Sequence, residues 1–381
     1  MLKTLHYSLL TLTGFLASIT SGYAQNDSTS VIQQIKKRIV LQAEVENGGI
    51  LAEKSIRDVT FEDAYYNAIN FRVGWQTQKS KDSYHQLYNY PTYGIGIYSS
   101  TFNKPTIGKP FAIYGYVEIP MYPKAGSRWS YDYRIALGLS GNFKPFDAEE
   151  NPLNLVIGTK NNVFIDLGAK VNYALTAKLK AGVGLSFHHF SNGALRLPNK
   201  GINLVPLTAS LTYTPYADQL DKSSSVISPM PKQVFYTLSF GAGLKQISRD
   251  SDKRFYKSTF SAYASKHISH KWRLGGGMDI FYSQSGSDEE VAGANSGKLS
   301  ARLSGGPSLY IAHVLNKNLV LNGNIGAYVH RQEFNGETQL LFLRAGARYY
   351  VYKNINAGVS IKAHMGKADF IEWTAGYTFG R

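Results

Sequence analysis

The 381-residue chain contains no cysteine, which excludes a small extracellular module stapled by disulfides. It also lacks long apolar runs. No segment approaches the roughly 20 consecutive apolar residues that a membrane-spanning helix requires. Charge is modest at 18% of residues, and the composition is poorly suited to a helical enzyme. What is abundant is glycine and tyrosine, with 36 and 27 copies, a bias that favours many strands and aromatic-rich surfaces.

The first two dozen residues carry Lys3, an apolar stretch from Leu9 to Ala17, and the small-residue ending Gly22-Tyr23-Ala24 before Gln25. This reads as a cleaved secretory signal over residues 1–24. The formal charge of +15 comes from scattered lysines and arginines. No nucleic-acid module accompanies them, so nucleic acid is not an expected partner. Phosphates of anionic lipid or lipopolysaccharide suit an exported chain better.

Beyond the polar lead-in Asn26–Gln34, segment after segment alternates with period two. In Val163–Tyr173 one face carries Val163, Ile165, Leu167, Ala169, Val171 and Tyr173, and the other Phe164, Asp166, Gly168, Lys170 and Asn172. The same split recurs in Val234–Lys245, Leu319–His330, Leu341–Tyr349 and Ala357–His364. A soluble sandwich and an outer-membrane barrel both alternate, so periodicity alone does not separate them.

Connection lengths favour the barrel, which has short turns at one rim and long loops at the other. Leu175-Thr176-Ala177, Ser269-His270, Asn316-Lys317 and Lys353-Asn354 are tight even-to-odd turns. Asn142–Asn162 and Ser283–Ser296 are long odd-to-even stretches carrying the acidic runs Asp147–Glu150 and Asp288–Glu290. Lys79–Tyr90, Tyr122–Ser130 and Ala217–Lys232 depart from this parity.

The expected strands begin near Lys37, Asn67, Thr92, Lys109, Tyr131, Asn162, Lys178, Gly201, Gln233, Arg254, Lys271, Gly297, Lys317, Gln339, Asn354 and Asp369. The expected fold is an all-β antiparallel transmembrane β-barrel. A linker over 216–232 separates a region 25–215 from a region 233–381. One barrel of about 14–16 strands is preferred, with an eight-stranded barrel plus a second eight-strand unit as the alternative.

The segment His189-Phe190-Ser191-Asn192 sets a histidine and a serine two residues apart on an expected strand. Residues i and i+2 of a strand share one face, which is contact geometry for a base and a nucleophile. Leu179, Ala181, Val183, Leu185 and Phe187 precede the pair on the same apolar face, so in a barrel His189 and Ser191 look toward lipid and His188 looks inward. That opposition argues against His188-His189 as a metal pair. Asn203 begins the apolar row of the next strand and can sit beside His189 across the hairpin. Gly275-Gly276-Gly277 lacks the strand-to-helix setting of a phosphate loop.

His189-Phe190-Ser191-Asn192-Gly193, followed by Pro198-Asn199-Lys200-Gly201-Ile202, resembles the signature of the outer-membrane lipid A 3-O-deacylases of the PagL type, also labelled acyloxyacyl hydrolases. Looser barrel similarity extends over Lys37–Pro215. The resemblance implies an outer-membrane ester hydrolase acting on lipid A of lipopolysaccharide, without cofactor or metal. Ser191 would attack the ester, His189 would take its proton, Asn199 would stabilise the oxyanion and Asn192 would support the geometry. The chain departs from the family where the triad glutamate is expected, since Asn203 stands there. Either Asn203 serves in a weaker site, or another acid substitutes, or the barrel is catalytically degenerate. In the last case it would be a structural or pore-forming barrel, with Lys180, Lys245, Arg344, Arg348 and Lys362 lining an anion pathway.

Overall fold

The computed structural model describes residues 38–121 and 126–381. The expected signal over 1–24 and the lead-in Asn26–Gln34 lie outside the described residues. Among the described residues sixteen antiparallel strands follow one another as meanders. The first eight are β1 (Ile39–Leu51), β2 (Tyr66–Gln76), β3 (Thr92–Thr101), β4 (Gly108–Met121), β5 (Trp129–Phe143), β6 (Asn162–Ala174), β7 (Leu179–Ser191) and β8 (Ile202–Tyr213). The second eight are β9 (Val234–Gln246), β10 (Arg254–His267), β11 (Trp272–Ser283), β12 (Leu303–Val314), β13 (Leu319–Ala327), β14 (Leu341–Tyr352), β15 (Ile355–His364) and β16 (Lys367–Phe379).

The preferred single ring of about 14–16 strands is corrected to two closed barrels of eight. β8 pairs with β1 from Leu41↔Tyr213 to Leu51↔Asn203, and β16 pairs with β9 from Trp373↔Ala242 to Phe379↔Tyr236. Region 233–381 therefore completes its own barrel.

The physical reason lies in the inward faces. An eight-stranded barrel encloses a space that side chains fill, whereas sixteen strands leave an aqueous channel. In the first barrel Arg72 bonds Glu44 at 2.6 Å, Arg134 bridges Asp166 at 2.6 Å and Glu44 at 3.2 Å, and Lys170 meets Glu118 at 2.8 Å. In the second, Arg344 bonds Asp279 at 2.6 Å and also pairs with Glu372, while Lys362 meets Asp369 at 3.1 Å and Glu337 at 3.3 Å. Each half supplies its own counter-charges at contact distance. Lys245, Arg344 and Lys362 are thus buried in ion pairs and do not line an open anion pathway, and Arg348 is buried as well. Lys180 is exposed.

The outward faces are the inverse of a soluble protein. Val45, Phe71, Ile97, Leu139, Val183 and Leu207 on the first barrel, and Phe240, Ile280, Leu309 and Ile325 on the second, are all exposed. Apolar outside and polar inside is the pattern of a barrel solvated by lipid.

Strand starts match the sequence reading to within two residues except at β12, expected from Gly297 and observed from Leu303. Short helical turns, Glu289–Ala292 and Leu299–Arg302, occupy that connection. The long Lys79–Tyr90 connection has a structural cause. Its helix Ser83–Leu87 docks on the second barrel, where Tyr84 Oη donates to His270 O at 3.0 Å and Tyr88 Oη donates to Val314 O at 2.8 Å.

Candidate active site

β7 alternates strictly, and its two faces do different work. Inward, His188 contacts Glu46 at 2.8 Å and Asp166 at 3.3 Å, and Phe190 packs against Phe164, Tyr98 and Phe143. These buried contacts fix the backbone on either side of His189. Outward, Val183, Leu185, Phe187, His189 and Ser191 form one row, exposed at Val183 and Leu185, half-buried at Phe187 and His189, and buried at Ser191, the last residue of the strand.

The structure brings His189, Ser191 and Asn203 into one hydrogen-bonded chain. Asn203 stands directly opposite His189 in the β7–β8 ladder. His189 Nδ1–H donates to Asn203 Oδ1 at 2.6 Å, and Ser191 Oγ–H donates to His189 Nε2 at 2.8 Å. An amide oxygen only accepts, so this pairing places the ring proton on Nδ1 and leaves the Nε2 lone pair for the hydroxyl. That is the tautomer a general base needs. Both ring nitrogens are committed, so neither is free for a substituting carboxylate. Ser191 is 2% exposed, which shields the pair from water.

Gly201 makes the close approach of the next strand possible. Its φ is +75°, and a Cβ there would lie 2.9 Å from His189 Cε1. Only glycine adopts that conformation freely while leaving room for the imidazole.

Asn192 and Asn199 lie on the β7–β8 loop and meet each other. The Asn192 backbone N–H donates to Asn199 Oδ1 at 2.9 Å, while Asn192 Nδ2 donates to Arg196 O at 2.9 Å and Thr159 Oγ1 at 3.1 Å. Asn192 is thus committed to loop structure. Asn199 is different, because its Oδ1 is occupied and its buried Nδ2 has no partner. A buried donor without an acceptor is costly, so its presence calls for an explanation. It can serve an oxygen that arrives with a ligand.

The β5–β6 connection supports this loop, and sequence reasoning missed it. Val156 O accepts from Lys200 N at 3.1 Å and Gly201 N at 3.3 Å, and Ile157 bridges to Asn199. The length of Asn142–Asn162 was the one available signal. Gln246 of the second barrel also reaches the loop, and nothing in its local sequence announces that.

Chemically, the arrangement sets a hydroxyl against an oriented imidazole, with a spare amide donor in the loop that follows, which is what nucleophilic catalysis requires. Comparison with known proteins bears on what it acts upon. Residues 69–212 match the family model described as lipid A 3-O-deacylase (PagL), and residues 234–381 match the one described as acyloxyacyl hydrolase, C-terminal domain. No curated protein matches the chain. Among solved structures the chain is similar to neisserial surface protein A, at 11% identity over 46% of this chain and 96% of that one, with a TM-score of 0.32. It is likewise similar to the outer membrane enzyme PagL, at 17% identity over 45% of this chain and 97% of that one, TM-score 0.30. The N-terminal β-barrel domain of Pseudomonas aeruginosa OprF gives 10% identity over 46% and 97%, TM-score 0.27. With one family model on each barrel, the chain belongs to the PagL-type family of outer-membrane lipid A deacylases, the acyloxyacyl hydrolases.

Proposed function

We propose that this protein is a carboxylic-ester hydrolase of the outer membrane that removes an acyl chain from lipid A, with Ser191 as nucleophile and His189 as base. The observation that carries this reading is the unbroken chain from Asn203 through His189 to Ser191 on the outward row at the end of β7. On the strand-count reading that end of β7 faces the leaflet in which lipopolysaccharide resides, with Ser191 itself buried.

Ser191 Oγ attacks the ester carbonyl carbon while its proton passes to His189 Nε2. The tetrahedral oxyanion takes the free N–H of Asn199 Nδ2, which Asn192 holds in place through Oδ1. Collapse expels the sugar alkoxide, which recovers the proton from His189, and an acyl ester remains on Ser191. Water then attacks that ester with His189 again as base, releasing the fatty acid and restoring the hydroxyl. Asn203 orients the ring throughout. Being neutral, it does not offset the imidazolium charge as a carboxylate does; the loss of about 10⁴ in turnover seen for acid-to-amide exchange in a serine protease comes from the wrong ring tautomer, which Asn203 Oδ1 avoids here, so the penalty is smaller than that. The site is therefore a slow version of the family's chemistry.

The test is mass spectrometry of lipid A from cells with and without the wild-type chain, with Ser191→Ala as control. Loss of one acyl mass in the wild type alone is the expected result. Unchanged lipid A, with no ester cleaved when purified phospholipid is also offered, overturns the reading.

A further inference from the structure

The loop between β7 and β8 is held from two sides, and one of them belongs to the other barrel. Gln246 ends β9, is 2% exposed, and bonds the loop through its backbone N–H and its side-chain oxygen. Its backbone N–H donates to Ala194 O at 2.9 Å, and its side-chain Oε1 accepts from Leu197 N at 2.7 Å. Its Nε2 donates to Ser251 O at 2.7 Å, so only one orientation of the amide satisfies both neighbours. Gly193 lies against Ile371 of β16 so closely that a Cβ would collide with that side chain. Farther out, Arg249 stacks over Phe146 at 4.5 Å, linking the β9–β10 loop to the β5–β6 connection that also cradles Asn199.

These contacts bracket the two loop residues that the first barrel uses at its site. Asn192 and Asn199 are joined by a single hydrogen bond, and the stretch between them, 193–198, is the part anchored to the second barrel. We propose that Gln246 is a positioning residue for this loop, and that the second barrel serves as a clamp presenting the Asn199 amide to the reacting ester. This deepens the deacylase reading and depends on it for its catalytic purpose. Gln246 touches no reacting atom. It acts by holding Ala194 and Leu197, and through them the separation of Asn192 from Asn199.

The experiment uses the full-length chain folded in detergent micelles and compares wild type with Gln246→Met and Gln246→Glu. The first removes the acceptor for Leu197 with little change in volume, and the second keeps it. Amide hydrogen exchange over 193–199 is measured beside steady-state deacylation of purified lipid A. The expected result for Gln246→Met is faster exchange confined to that loop and a kcat lowered roughly 10- to 100-fold, the scale of a small misplacement near the chemistry, with KM unchanged. Gln246→Glu keeps the acceptor for Leu197 but, when ionised, sets a second oxygen against Ser251 O, so it should recover both only at a pH low enough to keep the carboxyl protonated, when its O–H replaces the Nε2–H donor. Unchanged loop exchange in Gln246→Met overturns the clamp, and faster exchange with full turnover overturns its catalytic purpose. A wild-type chain that leaves lipid A intact overturns the deacylase reading and that purpose with it, whereas the exchange measurement still decides whether Gln246 holds the loop.

Discussion

The two barrels share strand number, closure and an interior of paired charges, but they differ at the C-terminal end of the seventh strand of each. In the first barrel β7 presents His189 and Ser191 outward and continues into a ten-residue loop. In the second, β15 presents Ile361 and Ala363 outward and turns at once through Met365-Gly366 into β16. The backing differs too. Behind β7 lies a stack of aromatic rings, Phe164, Phe190 and Tyr98, whereas behind β15 lies Lys362 among Asp369, Glu337 and the ring of Phe281. The same eight-stranded scaffold therefore carries a hydrogen-bonded His-Ser pair in one copy and a plain apolar wall in the other, which is why the proposed chemistry is assigned to the first barrel.

The largest effect that sharpens this contrast is loss of the pair itself. Ser191→Ala or His189→Ala should lower deacylation by about 10³-fold or more, because nucleophile and base act as a unit. Truncating the equivalent outward position Ile361→Ala should leave turnover near that of the wild type. Release of fatty acid from purified lipid A measures both. Equal losses in the two barrels would sink the assignment of chemistry to the first.

Restoring a carboxylate should work in the opposite direction. Asn203→Asp keeps the reach to His189 Nδ1 and adds the negative charge that stabilises imidazolium. Turnover should rise tenfold or more, below the ceiling of about 10⁴ set by the acid-to-amide exchange in serine proteases. A fall in kcat would mean that the amide, not a missing acid, suits this site.

Interior charges test whether the barrels are separate folding units. Arg134→Ala strips contacts to Asp166, Glu44 and Ser186, and Arg344→Ala strips contacts to Asp279 and Glu372. Arg344→Ala leaves Asp279 and Glu372 without a cation and should cost about 3–5 kcal/mol, whereas Arg134→Ala leaves Glu44 with Arg72 and Asp166 with His188 and should cost less. Tryptophans report on the halves separately, Trp75 and Trp129 in the first and Trp272 and Trp373 in the second. With the other pair changed to phenylalanine, urea unfolding followed by fluorescence should show Arg134→Ala lowering only the first transition and Arg344→Ala only the second. A single shared transition would mean one cooperative unit.

Much of this was legible in the sequence, and what was not has a common cause. Alternation located the strands, their lipid face and the inward turn of His188, because period two is a local property. The pairing of Asn203 with His189 followed from the adjacency of consecutive antiparallel strands. Closure did not follow, because β1 with β8 and β9 with β16 are long-range pairings that no local period encodes. The inward charges Glu44, Arg72, Arg134 and Asp166 were visible as polar alternates, but that they neutralise one another within one half emerges only in three dimensions. Gln246 was illegible for the same reason, since its partners Ala194 and Leu197 lie some fifty positions earlier, on another barrel.

The smallest effect concerns the wall along which an acyl chain would lie. Leu207 sits on the outward row of β8 below Asn203 and opposite Leu185, while Leu309 sits on β12 of the second barrel, and both are 68% exposed. If the substrate chain runs down the first wall, Leu207→Ala should raise KM and Leu309→Ala should not. The change should be modest, because lipid tails are as apolar as leucine and cover this surface whether or not substrate is present. No apolar area leaves water on binding, so only the difference in van der Waals fit between substrate and bulk lipid remains, about twofold in KM. A tenfold rise would mean that the acyl chain is held in a protein-lined groove away from bulk lipid, and an equal response at Leu309 would place the chain in the seam between the barrels.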